Sequence, residues 1–65
     1  MNKKFRHYKG AIYEVITIAI HSETEEELVI YRNDQGQTFA RPREMFYEDV
    51  LLEDGTRVKR FEEIL

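Results

Sequence analysis

The sequence predicts a mainly β domain: a small, strongly bent antiparallel barrel of five to six strands with one short helical turn. Three observations carry this. Apolar residues recur with a period of two through most of the chain, the spacing of strands rather than helices. Gly10, Gly36 and Gly55 stand singly between those runs, where turns are needed. And 65 residues are too few for two full sheets, so bending one sheet towards closure is the economical way to remove exposed edges.

Phe5 to Lys9 reads as a first strand, turned by Gly10. Tyr13 to His21 is the longest, with Tyr13, Val15, Thr17 and Ala19 on one face and Ile16, Ile18 and Ile20 on the other. Both faces are apolar, so this strand is central or bends within a barrel. Its β-branched content excludes a buried helix. Ser22 to Glu27 is a charged loop. Leu28 to Arg32 and Thr38 to Arg41 form a hairpin about Asn33-Asp34-Gln35-Gly36-Gln37. Pro42 cannot donate to a ladder, so it ends the strand and opens a helical turn over Arg43 to Tyr47. Asp54-Gly55 between Val50–Glu53 and Thr56–Arg60 predicts a type I′ hairpin. Phe61 to Leu65 is expected to add a terminal helical turn.

Sixty-five residues make one domain with a small core. The chain has no cysteine, so disulfides and thiolate metal sites are excluded and packing alone, or packing plus self-association, must hold the fold. That composition suits a reducing cytoplasm. Lys3, Lys4 and Arg6 ahead of Ala11–Ile20 imitate a signal peptide, but Glu14 and Thr17 interrupt the run and no cleavage site follows. No run is long enough to span a membrane. The net charge of −3 argues mildly against nucleic acid, although the bases cluster locally.

The chemistry-bearing residues are few. His7, His21 and Glu23 contain too few ligands for a metal centre and lie far apart on the expected strands, so a structural role outweighs a metal role. His21 and Ser22 are neighbours on a strand and point to opposite faces, which excludes a dyad. The reading of His21-Ser22-Glu23-Thr24 is a turn in which the hydroxyls cap loop amides and His21 bonds across the loop. The isolated glycines form no phosphate-cradling loop. Aromatic and basic residues interleave in Phe5-Arg6-His7-Tyr8-Lys9, Tyr31-Arg32, Phe39-Ala40-Arg41 and Lys59-Arg60-Phe61. Small barrels use such patterns to stack bases beside a positive groove. The competing reading is that Phe5, Tyr8, Phe39 and Phe61 are core. A pairing of Arg41 with Glu23 would organise the acidic loop. The isoleucines of the long strand offer more aliphatic surface than a tiny core covers, which suits a symmetric homodimer.

Four blocks recur in order: Phe5-Arg6-His7-Tyr8-Lys9-Gly10, His21-Ser22-Glu23-Thr24, Arg41-Pro42-Arg43-Glu44-Met45-Phe46 and Val58-Lys59-Arg60-Phe61. With them the chain resembles, over nearly its whole length, the small bacterial family called domain of unknown function 1653. The resemblance implies a single SH3-like domain over residues 1–65 and no assigned activity. Family members typically carry an aromatic, often Trp, near Phe39 and Pro where Lys59 stands. The missing Trp weakens a stacking role there, and Lys59 implies a better paired last strand.

These readings predict a non-enzymatic binding or interaction module without cofactor, metal or catalytic residues. Its ligand surface is expected near His7, Tyr8, His21, Glu23, Arg41 and Met45, and its partner is an unknown protein or small ligand in the cytoplasm. The alternative is a single-stranded RNA- or DNA-binding module using Arg6, Lys9, Lys59 and Arg60, which become one patch if the first and last strands are neighbours. A third reading is a small metal-dependent hydrolase assembled from His7, His21 and Glu23 across a dimer.

Overall fold

The computed structural model describes residues 3–65. In chain order the elements are β1 (Lys3–His7), β2 (Ile12–Ile20), β3 (Glu27–Arg32), β4 (Thr38–Pro42), α1 (Arg43–Phe46), β5 (Asp49–Leu51), β6 (Arg57–Lys59) and β7 (Phe61–Glu63). The mainly β class with one short helix is therefore correct. Five strands form an antiparallel sheet in the order β4-β3-β2-β1-β7, and β5 and β6 form a separate hairpin. The larger sheet has two edges, β4 and β7, and no pairing closes it into a barrel among the described residues.

The first and last strands are neighbours, as anticipated, but residues 61–65 are not helical. Phe61, Glu62 and Glu63 pair with His7, Arg6 and Phe5. In the first hairpin Phe5 lies opposite Tyr13.

A bulge corrects the expected faces of β2. The register with β3 shifts between Val15 and Thr17, leaving Ile16 as the extra residue. Before the bulge, Tyr13 and Val15 face the core; after it, Ile18 lies opposite the buried Val29 while Thr17 lies opposite Ile30. Alternation therefore restarts one residue out of step. Ile18 and Ile20 take the face that Thr17 and Ala19 were expected to share with Val15.

Three of the loops share one turn chemistry. In the β5–β6 loop the Gly55 amide donates to the Leu52 carbonyl (3.0 Å) and the Leu52 amide donates to the Thr56 carbonyl (2.8 Å). Asp54 has no positive φ, so the expected type I′ turn is excluded; only Gly55, at φ +89°, is left-handed. This is the three-residue loop that ends in a left-handed glycine. Asp54 Oδ1 accepts the Thr56 amide at 2.9 Å, and that bond holds its carboxyl below the usual range. The same pair of backbone bonds recurs at His7–Ala11 and Asn33–Gln37.

The β2–β3 loop lacks the glycine. Its left-handed position is Glu25, the one described non-glycine residue with positive φ (64°). A side chain there is strained by about 1–2 kcal/mol, partly offset when glycine loses more backbone entropy on folding. Glu25→Gly also removes one of four crowded carboxylates. It is expected to stabilise the domain by about 0.5–1 kcal/mol, read as a rise of a few degrees in Tm. An unchanged or lower Tm would show that the loop is not strained.

The core is an aromatic cluster. Phe5, Val29, Tyr31, Phe46 and Phe61 are buried, with Tyr13 and Val15 packed against them. Pro42 closes β4 and caps α1 rather than occupying its first turn. One helical turn then drops Phe46 into the core, where its ring stacks on Phe61 at 4.2 Å and 4°. Phe46 also meets Phe5 and Tyr31 edge-on. Phe61 touches His7, Tyr13 and Tyr31 as well, so β7 supplies the hub of the cluster. Two of the four aromatics read as core, Tyr8 and Phe39, are instead 37% and 38% exposed.

Candidate functional site

His7 ends β1 and faces the same side of the sheet as Phe5, opposite Phe61 of β7. Its Nδ1 accepts the Lys9 amide at 3.1 Å, so the neutral ring carries its proton on Nε2. The imidazole lies 4.6 Å from the Tyr8 ring and 5.0 Å from that of Phe61. Lys9 Nζ sits 5.8 Å from the Tyr8 ring centre. Arg6, His7, Tyr8, Leu52, Val58, Lys59 and Glu62 line a groove of about 380 Å³. It runs between the end of β1, the β5–β6 hairpin and β7.

Burial pushes the proton affinity of His7 below its ordinary value of 6.5, and the positive charges of Arg41, Arg60 and Lys9 push the same way. The folded state thus favours the neutral ring, and the unfolded chain takes up this proton first as pH falls. The His7 contribution to stability is complete above pH 6.5 and is lost as pH drops through the folded value, below which it levels off. Urea melts of wild type and His7→Gln between pH 7.5 and about 4.5 should show a shallower loss in the variant. Equal pH slopes would contradict the assignment.

Arg41, on β4, does not reach Glu23. Its Nε donates to Tyr31 Oη at 3.2 Å, and its guanidinium carbon lies 5.8 Å from the Phe61 ring centre. The complementarity between the acidic loop and the Arg41–Arg43 block is met by Arg43, whose Nη1 lies 2.8 Å from Glu27 Oε1. Arg60 Nη2 is 2.8 Å from Glu48 Oε1, while its buried Nε has no partner.

The structure thus brings together His7, Tyr8 and Arg41 from the first predicted set with Arg6, Lys9, Lys59 and Arg60 from the second. His21 and Glu23 are elsewhere, beyond the far end of β2. There His21 Nδ1 accepts the Glu23 and Thr24 amides at 3.1 and 3.3 Å, and Thr24 Oγ1 accepts the Glu26 amide at 3.3 Å. This is the bridged loop that the sequence suggests, with the hydroxyl cap supplied by Thr24 rather than by Ser22 and Thr24 together. Among the described residues no group of three or more His, Asp or Glu is placed to hold a metal. Met45 is on the exposed side of α1, 49% accessible. A hollow of about 620 Å³ is lined by Glu25, Glu26, Glu27, Pro42, Arg43, Glu44 and Tyr47. Its charged rim is solvated and its arginine is already paired, so the chemistry concentrates around His7 instead. Sequence reasoning missed Leu52, Val58 and Glu62 because a separate hairpin carries the first two to the groove.

Residues 3–63 match the family model described as "Protein of unknown function (DUF1653)". The chain belongs to the DUF1653 family. No curated protein and no solved structure matches it. Membership covers every strand of this DUF1653 domain, so the sheet, the aromatic core and the His7 groove all fall within the family's span. No helix of the DUF1653 domain is long and apolar enough to cross a membrane, among the described residues.

Proposed function

We propose that the domain is a non-enzymatic binding module whose ligand lies along the His7 groove. The observation that carries this reading is the convergence of Arg6, His7, Tyr8 and Lys59 on a concave surface with an apolar lining of Leu52 and Val58. A ligand site needs that combination: apolar area for contact and a few polar groups for orientation. The resemblance adds an SH3-like scaffold, a class that presents aromatic grooves to extended peptides. An unknown protein or small ligand in the cytoplasm is the partner in this reading.

Amide NMR titrations with nucleotides, short oligonucleotides and extended peptides test it. Shifts that cluster on Arg6, His7, Tyr8, Val58 and Lys59, and vanish in Lys59→Glu with the fold intact, are expected. A ligand that instead shifts the Glu25–Glu27 face, leaving these residues still, would overturn the reading.

A second reading is supported by the groove itself, in which Arg6 of β1 and Lys59 of β6 lie beside Tyr8. Single-stranded nucleic acid would stack on Tyr8 and leave its phosphates to Arg6, Lys9 and Lys59. Glu62 opposite Arg6 and Glu48 on Arg60 reduce that field. Affinity on this reading falls with salt by about 0.7 log units per phosphate contact per log unit of salt. A flat salt dependence removes it.

A further inference from the structure

Arg41 is held in an unusual way for a surface arginine. It is half-buried, its Nε is tied to Tyr31 Oη, and its plane is backed by the Phe61 ring. Tyr31 and Phe61 are themselves buried at 5% and 3% exposure, so the platform is rigid. The ion pairs among the described residues use Lys3, Arg32, Arg43 and Arg60 and none uses Arg41. Its Nη1 and Nη2 donate to no described residue. A guanidinium fixed at Nε presents its remaining N–H groups as a planar fork, the geometry that matches the two oxygens of a carboxylate or phosphate. The surroundings repeat the preference. Arg60 and Lys9 are close enough to act on His7 together with Arg41, and Arg60 keeps a buried Nε without a partner. The fold therefore gathers Arg41, Lys9 and the Glu48-paired Arg60 around His7, in a chain whose net charge is −3.

We infer that Arg41 is the receptor for an oxyanion, a carboxylate or phosphate group of the ligand, met by the Nη1 and Nη2 edge of the guanidinium. This deepens the binding-module reading and rests on it for the identity of the ligand, but the anion site stands on Arg41 rather than on the groove. Tyr31 acts here as a positioning residue: it sets the plane of the fork without touching the anion. Phe39, stacked on Tyr31 at 5.5 Å and exposed, flanks the same platform and offers an apolar wall to whatever bears the anion.

The test uses inorganic phosphate and acetate, each exchanged against chloride at constant ionic strength, on the full chain. The Arg41 Nε–H resonance and the His7 ring titration are followed by NMR. Saturable movement of the Arg41 resonance is expected, together with a rise in the His7 proton affinity as the anion offsets its cationic neighbours. Arg41→Lys keeps the charge but loses the fork, and should weaken binding by about tenfold. Tyr31→Phe should weaken it less, with Arg41 still present. Phosphate acting alone identifies a phosphate-type ligand, acetate acting alone a carboxylate, and equal responses a fork that accepts either oxyanion. No response beyond chloride, or binding by Arg41→Lys equal to wild type, overturns the inference. The wild-type response decides the matter even if a variant folds poorly. Should phosphate move Arg41 while oligonucleotides and peptides leave Arg6 and Lys59 still, the groove fails and the anion site survives; the reverse sinks the anion site alone.

Discussion

Phe46→Ala is expected to leave little folded protein at 25 °C. The ring is fully buried, stacks on Phe61 and meets Phe5, Tyr31 and Tyr47 edge-on. Truncating such a residue costs about 3–5 kcal/mol, from lost transfer energy and the cavity left behind. A core of this size supplies only about 3–5 kcal/mol in total without disulfides or metal, and the chain has no cysteine. The substitution therefore removes a margin comparable to the whole stability. Circular dichroism and urea titration would measure it, and a variant that melts within about 5 °C of wild type would show that α1 is dispensable. Phe46→Leu should be much milder, because most of the volume remains.

The second large effect is at Phe61. Phe61→Ala should destabilise by a similar amount, about 3–5 kcal/mol, since the residue is 3% exposed and contacts every aromatic buried with it except Phe5. Its consequences differ in kind. Phe46 holds a helical turn down, whereas Phe61 joins β7 to the core and backs both His7 and Arg41. Phe61→Leu should retain most of the stability while releasing the two side chains from their aromatic platform, so folding and ligand binding separate in this variant. The Phe46→Leu, Phe61→Leu double variant should be less destabilised than the sum of the singles, because one stacked pair is lost once. Additive costs would mean that the stacking of the two rings contributes nothing beyond burial.

Much of the fold was legible from alternation. β3 and β4 have near the predicted bounds because Val29 and Tyr31 fall two apart on the buried face, turn residues 33–37 follow, and Pro42 ends the ladder. The bulge at Ile16 was not legible, because Ile16, Ile18 and Ile20 make both faces of β2 apolar and a one-residue slip leaves no trace in such a pattern. β7 was misread for a different reason. Phe61, Ile64 and Leu65 have the spacing of a helical face, and only the partner strand β1, remote in sequence, makes the segment extended. The site was legible in halves. Adjacent first and last strands were expected to gather the basic cluster of Arg6, Lys9, Lys59 and Arg60, whereas His7 and Tyr8 were assigned to a different surface, with His21 and Glu23, which lie beyond the far end of β2. Arg41 was sought among the carboxylates it neighbours in charge, while its actual partners, Tyr31 and Phe61, come from β3 and β7 and are set by packing.

The pairing of β1 with β7 also sets the order of events when the chain folds. His7 and Phe61 meet across 54 positions, 7 to 61, and no local signal rewards that closure in advance. The hairpins β1–β2, β2–β3 and β3–β4 can each form from neighbouring residues, but the core stack waits for the loop to close. A small domain with this much non-local pairing folds in milliseconds to seconds rather than microseconds. During that interval the isoleucine-rich β2 is uncovered. The charge-crowded loop that follows it, with Glu23, Glu25, Glu26 and Glu27 in close succession, then serves as a gatekeeper against misassembly in the waiting chain.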